Sequence, residues 1–320
     1  MNYTYSETLG KNISKLGFGC WGIGGSTSRT PGYGKVHPEN SLNAIRQAIH
    51  QGINLFDTSP IYGDGESETI LGMALGEDRT RITLTTKAGK LPNGESDFSE
   101  LAVRNSLYNS LKRLNTDYID IFQLHDPEPN EECITDDLLA LLEKLRDSGL
   151  VRHLGISVKR PADMTFLLKT PFRFVQLNFN LVDQRALDDE IFEISQRSGI
   201  EIITRTPLAF GFLTEKFNTQ TPLLFQEDDH RSKWSSDQID RWADSPNKFR
   251  ALTVDRNLSI VQLALKFSIS QKATLCTLSG MMNADEVKEN VAHLSGNIKL
   301  ESNDIEEIRH VYRTNTFFLR

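Results

Sequence analysis

Residues 54–68 read NLFDTSPIYGDGESE, and the helix-like run ETILGMALG follows from residue 68. Leu55 and Phe56 form an extended apolar stretch that stops at a carboxylate, Asp57. A turn through Ser59 and Pro60 then leads to Tyr62, set in a loop bracketed by Gly63 and Gly65. Strand, polar loop and helix in this order make one βα unit, the usual way an α/β protein presents a reactive group at a strand end. A lone loop tyrosine has an ordinary use as a half-exposed aromatic, so the rest of the chain decides what this unit means.

Outward from that stretch the pattern repeats. Extended apolar runs occur at 15–20, 53–58, 82–87, 118–125, 153–157, 174–179, 200–206 and 274–279. Between and after them, three- and four-residue apolar spacing predicts helices at 39–51, 67–76, 99–113, 135–148, 161–169, 187–198, 259–270 and 284–292. Eight such units predict a closed parallel (β/α)8 TIM barrel rather than an open sheet. Residues 1–14 read as a short hairpin closed by Gly10, and a further helix is expected near 303–314. Two connections exceed the length of an ordinary loop: 22–40 after the first barrel strand and 207–255 after the seventh. Loops that follow barrel strands share one face, so both are expected over the same mouth. No Pro-, Gly- or Ser-rich linker divides the chain, and residues 1–320 read as a single barrel domain.

Composition narrows the function. Hydrophobic residues make up 38% and charged residues 25%, ordinary for a globular chain. The formal charge of -7 and scattered Lys and Arg give no basic stripe, which argues against a nucleic-acid partner. Cys20, Cys133 and Cys276 lie far apart, without the spacing of a disulfide framework or a zinc site, and suit a reducing compartment. The start of the chain is polar and no window approaches the ~18 apolar residues of a membrane helix, so a cytoplasmic protein is expected. Seven histidines form no HExxH, and no metal is expected.

Placed on a barrel, Asp57 ends the second strand, Lys87 the third and His125 the fourth, with Tyr62 in the loop after the second. Each alone could be a turn cap, a solvated lysine or the start of a proline turn. Together they converge on one mouth and their chemistry matches. A tyrosine near its reference pKa of ~10 is a poor acid or base at neutrality unless a cation lowers it, and Lys87 can be that cation. Asp57 would pair with Lys87 and offset the cost of bringing an ammonium into a dry pocket. His125 can hydrogen-bond the oxygen of a bound carbonyl. None of the four is a good nucleophile, so the set points to proton transfer coupled to another event.

The motifs KLGFGCWGIGG, INLFDTSPIYGDGESETILGMAL, TTKAGK, SLKRLNTDYIDIFQLHDPEP, LGISV, VQLNFNLVD and TPLAFGFLTEKF stand in an order and spacing that resembles the aldo-keto reductase family over nearly the whole chain. The resemblance implies a catalytic tetrad of Asp57, Tyr62, Lys87 and His125 that reduces an aldehyde or ketone with NADP(H) or NAD(H), Tyr62 being the proton donor. It implies an extended cofactor without a GxGxxG loop, and no such motif follows the first strand. Cofactor contacts would come from Gly19, Cys20 and Trp21 at the first strand end, from Asp57, and from Ser157 and Gln176 at the carboxamide. Arg205, Thr206, Leu208 and Gly211 would follow along the pyrophosphate, and Gly280, Asn283, Glu286, Glu289 and Asn290 at the adenosine end. Trp21, Ile61, Tyr62 and His125 would face the substrate, a small carbonyl or alcohol, sugar-like or otherwise polar. Pro60, Tyr33, His230, Arg231 and Trp234 are further candidates for the walls. The stretch 225–236 reads as a solvated surface loop about as readily as a flap over the cofactor or a substrate clamp taken together.

Three departures from the family pattern stand out. Val158 follows Ser157 where many relatives have Asn, and Arg205 stands where many stack a Tyr on the nicotinamide; a guanidinium plane can also stack. In LSGMMNADEVKENV, Met282 and Gly280 occupy places where relatives carry cations for a 2′-phosphate, and Glu286 replaces Gln or Arg. A carboxylate repels the phosphate and can accept from a free ribose hydroxyl, which predicts NADH use comparable to NADPH or better. The alternative is that Glu286 faces solvent and Lys288 compensates. A second function class is a nicotinamide-nucleotide-binding regulatory subunit with little turnover.

Overall fold

The computed structural model describes residues 1–128, 130, 132–160, 164–214, 216–217, 223–297 and 299–318. Among these residues, β1 (Tyr3–Ser6) and β2 (Lys11–Ser14) pair as an antiparallel hairpin. Eight parallel strands then close into a barrel: β3 (Leu16–Gly19), β4 (Leu55–Asp57), β5 (Thr83–Ala88), β6 (Ile119–His125), β7 (Val151–Ser157), β8 (Phe174–Asn178), β9 (Glu201–Arg205) and β10 (Thr274–Gly280), with β10 pairing back onto β3. The (β/α)8 expectation holds.

Strand alternation sorts side chains between the barrel lumen and the surrounding helices. On β6, Phe122 and Leu124 turn outward into the main core with Leu138, Leu141 and Leu142, while Ile121, Gln123 and His125 turn inward. The lumen is layered in consequence. Its lower part is apolar, packing Leu55, Ile121, Phe174, Ile203 and Leu275 against Ile13 of the hairpin, which stoppers that end. Each fully buried aliphatic or aromatic side chain here contributes roughly 1.5–3 kcal/mol. The upper layers are polar, and strand register puts His125, Ser157 and Gln176 side by side on β6, β7 and β8.

Helices start where the chemistry of the chain allows. Ser99, Thr135, Ser235 and Ser259 accept hydrogen bonds from the first turns of the helices Glu100–Arg113, Asp136–Asp147, Ser236–Ala243 and Ile260–Ser268. The helix expected over 187–198 is instead two, Arg185–Asp188 and Ile191–Ser198, because Glu190 takes a left-handed conformation between them. The expected helix 161–169 lies partly outside the described residues; Met164–Leu167 is helical. The connection after β9 is not simply a loop: Ser236–Ala243, Ser245–Lys248 and Arg250–Asp255 are helical. The tail carries the expected last helix, Ser302–Thr314. No helix among the described residues is long and apolar enough to cross a membrane.

The two long connections meet over the mouth. Gly32 and Tyr33 bridge to Asp229, the Gly32 carbonyl accepts from the His230 backbone N–H at 2.8 Å, and Ser26 Oγ donates to the Asp228 carbonyl. His230 is caged by Trp21, Tyr33, Phe210 and Trp234, with ring centroids 4.6 to 5.3 Å away.

Candidate active site

Asp57 and His125 end β4 and β6 and Lys87 is the penultimate residue of β5, so the barrel itself aims them at one mouth. Tyr62 joins them from a tight turn that only glycine allows. Gly63 has φ +58°, and a Cβ on it would lie 2.1 Å from the Gly24 carbonyl oxygen in the loop after β3. That close backbone crossing fixes where Tyr62 enters the site.

Lys87 Nζ is fully buried, 2.6 Å from Asp57 Oδ2, 2.9 Å from the Thr58 carbonyl and 3.4 Å from the Tyr62 hydroxyl. Asp57 Oδ1 accepts from Thr85 Oγ1 at 2.8 Å, Gln176 Nε2 at 2.8 Å and Gln123 Nε2 at 3.2 Å. Three donors on one oxygen hold the carboxylate in a single orientation and leave Oδ2 to Lys87. Burial works against the ammonium, but Asp57, and then Tyr62, outweigh it and hold the Lys87 pKa above its ordinary value.

Tyr62 differs from the sequence-based expectation. Burial pushes its pKa up, and the downward pull of Lys87 does not overcome that, so the hydroxyl stays above rather than below the ordinary tyrosine value. The correction favours a protonated phenol at neutral pH. Burial, reinforced by Lys87, pushes His125 down to about 3, so its imidazole is neutral. Its Nδ1 lies 3.1 Å from Ser59 Oγ.

The mouth opens into a cavity of about 1020 Å³. Tyr62, His125, Trp21 and Ile61 line one end. Gly19, Arg205, Thr206, Leu208 and Gly211 continue it, and Gly280, Glu286, Glu289 and Asn290 line the far end. The rim after β9 is conformationally tense: Thr206, Ala209 and Phe210 all have positive φ. Of the expected contacts among the described residues, Cys20, Asp57, Ser157, Gln176 and Asn283 do not reach the wall. Cys20 is fully buried, and Asn283 caps the helix Ala284–His293 by accepting from the Asp285 and Glu286 N–H groups. Ser157 and Gln176 stand one layer back, bonded to Asp126 and Asp57. Tyr33 and Arg231 do line the cavity, whereas Pro60, His230 and Trp234 do not. The stretch 225–236 meets the first loop at Asp228, Asp229 and His230, while Gln226, Glu227, Ser232, Lys233, Ser235 and Ser236 are exposed.

A long cavity joining a proton-donor cluster to a helix start fits an extended dinucleotide. Arg205 supports that fit: its Nε is buried and has no hydrogen-bond partner among the described residues. At the far end, Glu286 is only partly exposed. It turns back to accept the Met282 N–H at 2.9 Å and pairs with Lys216 Nζ at 3.0 Å. The cation that Glu286 meets is Lys216, which also lines the cavity, and not Lys288, which pairs with Asp285.

Sequence reading missed Thr85, Gln123, Ser59, Asp126 and Lys216. Thr85 and Gln123 were within reach, since each lies two positions before a tetrad residue on the same strand and so faces the same way. No local signal marks Lys216, which is brought to Glu286 from 70 residues away.

Comparison with known proteins agrees with this geometry. The sequence profile of the Aldo/keto reductase family matches residues 15–313. The chain is 32% identical to L-galactose dehydrogenase of Arabidopsis thaliana, over 88% of this chain and 85% of that protein. It is 28% identical to NADH-specific methylglyoxal reductase of Escherichia coli (strain K12), over 93% and 94%. Among solved structures, the glycerol dehydrogenase AKR11B4 from Gluconobacter oxydans superposes with a TM-score of 0.81 at 25% identity, covering 99% of this chain and 97% of that one. With a profile match across nearly its whole length and a barrel of the same form, the chain belongs to the aldo/keto reductase family and is an NAD(P)H-dependent oxidoreductase of carbonyl reduction.

Proposed function

We propose that residues 1–320 act as one barrel unit in which Tyr62 is the general acid of carbonyl reduction and, as tyrosinate, the general base of the reverse alcohol oxidation. The observation that carries this is the buried chain of contacts from Asp57 Oδ2 through Lys87 Nζ to the Tyr62 hydroxyl, 2.6 and 3.4 Å long, at the wall of the cavity. A bound nicotinamide supplies or accepts the hydride. In reduction the Tyr62 proton passes to the substrate oxygen, and the phenolate left behind is stabilised by the adjacent ammonium. His125, neutral, orients that oxygen by donating from Nε2 when Ser59 donates to Nδ1. Arg205, at the cavity wall, orients the nicotinamide end, while Ser157 and Gln176 act from one layer back by holding Asp126 and Asp57, and Arg205 Nε is a buried donor without a partner among the described residues. A nucleotide-binding regulator is not favoured, because a regulator has no use for a buried proton relay.

The substrate we propose is a small, hydroxyl-bearing aldehyde or ketone, or the matching polyol or sugar. Trp21, Tyr33 and Ile61 offer aromatic and aliphatic walls, with Thr30 beside them. The names of two relatives, L-galactose dehydrogenase and glycerol dehydrogenase, support this class.

For the cofactor we propose NADH used at a rate comparable to NADPH or better. Glu286, folded onto its own helix start, puts a carboxylate where a phosphate would otherwise collect N–H donors, and Lys216 is already committed to it. Losing one charge-assisted hydrogen bond costs roughly 1.5–3 kcal/mol, enough to remove the usual preference at ~1.4 kcal/mol per factor of ten. Steady-state rates with both cofactors and one reactive aldehyde test the whole reading. Absence of turnover with either would end the enzyme assignment of the site, and an NADPH preference above ~100-fold in kcat/KM would end the cofactor argument alone.

A further inference from the structure

Arg205 ends β9 and lines the cavity, yet it is not a free surface cation. Its Nη2 donates to Asp126 Oδ1 at 3.2 Å and to the Val158 carbonyl at 3.3 Å, which fixes the guanidinium at the wall near Tyr62 and His125. Asp126 follows His125 in a left-handed conformation, φ 48°. The same Oδ1 accepts from Ser157 Oγ at 2.5 Å, and the Asp126 N–H donates back to Ser157 Oγ at 3.0 Å. One nearly buried carboxylate thus ties the Ser157 hydroxyl, one layer back, to the guanidinium at the cavity wall. The cavity wall beside Tyr62 and His125 thus carries a cation paired with one carboxylate.

We propose that the Arg205–Asp126 pair makes the bound oxidised cofactor a stronger hydride acceptor, poising the site for alcohol oxidation. This role holds if the cavity is the nicotinamide site proposed above. The oxidised ring carries one more positive charge than the reduced ring, so a guanidinium against it repels the oxidised form and attracts the neutral, electron-rich reduced form. Preferential binding of the reduced form raises the two-electron potential of the bound couple. With Tyr62 ionised, the alcohol would pass its hydroxyl proton to the tyrosinate oxygen and leave as the carbonyl, the bound oxidised cofactor supplying the acceptor for its carbon-bound hydride. Asp126 acts through Arg205 as a positioning residue: it holds the guanidinium in place and moderates the field.

The test measures binding, not turnover. Dissociation constants of the oxidised and reduced cofactor, NAD⁺ and NADH, are measured by tryptophan fluorescence or calorimetry on the full chain without substrate. For wild type, NADH binds tighter than NAD⁺. Arg205→Met removes the charge and lowers the ratio Kd(NAD⁺)/Kd(NADH) by about tenfold, a shift of about 30 mV in the bound couple. Asp126→Asn keeps acceptors for Ser157 and Arg205 but removes the offsetting charge, and raises the ratio by about threefold. Both forms binding with an unchanged ratio in Arg205→Met, or Asp126→Asn moving the ratio the same way as Arg205→Met, overturns the inference and leaves the enzyme reading intact. Failure of the wild type to bind either form overturns the nicotinamide reading itself and this inference with it. If Arg205→Met does not fold, Arg205→Gln replaces it, and no rise in the ratio for Asp126→Asn is by itself a negative result.

Discussion

Tyr62 and Lys87 divide one task. Burial keeps the phenol protonated, which suits reduction, while the ammonium 3.4 Å away receives the phenolate once the proton has left. Tyr62→Phe removes the donor and leaves the cavity wall, so turnover on a reactive aldehyde should fall ~10²–10⁴-fold with cofactor binding unchanged. A Phe variant within about threefold of wild type would refute the role. The raised Tyr62 pKa also has a sign. Oxidation needs the deprotonated form, so its rate should climb with pH through the ordinary tyrosine range, while reduction stays level around neutrality. Lys87→Met should depress oxidation more than reduction and move the oxidation profile to higher pH, because the cation that favours phenolate is gone. Equal losses in both directions with an unmoved profile would show that Lys87 does not act through the proton.

At the scale of elements, the site depends on how the loops after β3 and β4 cross. Gly63 touches the Gly24 carbonyl where any side chain would collide, and its φ of +58° disfavours a Cβ in any case. Gly63→Ala should cost roughly 1–3 kcal/mol of stability and push Tyr62 out of line with Lys87. The expected outcome is a folded barrel by circular dichroism, a lower Tm, and kcat down by about tenfold or more, since small misplacements of a reacting group are costly. Unchanged kcat would mean that the turn adapts without moving the hydroxyl. Another element, the hairpin of β1 and β2, contributes Ile13 to the apolar end of the lumen, away from the mouth, and so serves stability.

For the molecule as a whole, pH acts on stability through histidines buried as neutral groups. His125 sits at about 3, and His230, buried in its aromatic cage, at about 4, against ~6.5 in an unfolded chain. Below that unfolded value the unfolded chain binds more protons than the folded one. Their contribution is therefore complete above about pH 6.5 and is lost as pH falls toward 4 and then 3, at up to ~1.4 kcal/mol per pH unit for each histidine. Denaturant titrations should show a level unfolding free energy near neutrality and a decline between about pH 6 and 4.5. His230→Gln should lower stability overall yet flatten that decline. An identical slope in the variant would assign the pH dependence elsewhere. His230 also joins the two long connections, so its loss should loosen the roof above Trp21 and Tyr33.

The linear chain by itself determined the barrel, because eight apolar runs alternating with helical periodicity leave few other ways to bury both kinds of face. It also determined which strand ends carry Asp57, Lys87 and His125, since those positions follow directly from where each apolar run stops. Local conformation was less legible: the break at Glu190 and the helices within 236–255 depend on packing that apolar spacing does not encode. Only the tertiary structure decided the electrostatics. Whether Lys87 pulls the Tyr62 hydroxyl below its ordinary value is a contest between a charge and desolvation, and desolvation is a property of everything packed around the ring. The same holds for Glu286, which lies among ordinary helical residues in sequence but meets Lys216 from a remote loop in space. Pairings across long separations arise from how the loops are folded over the barrel mouth, and no local pattern of residues records them.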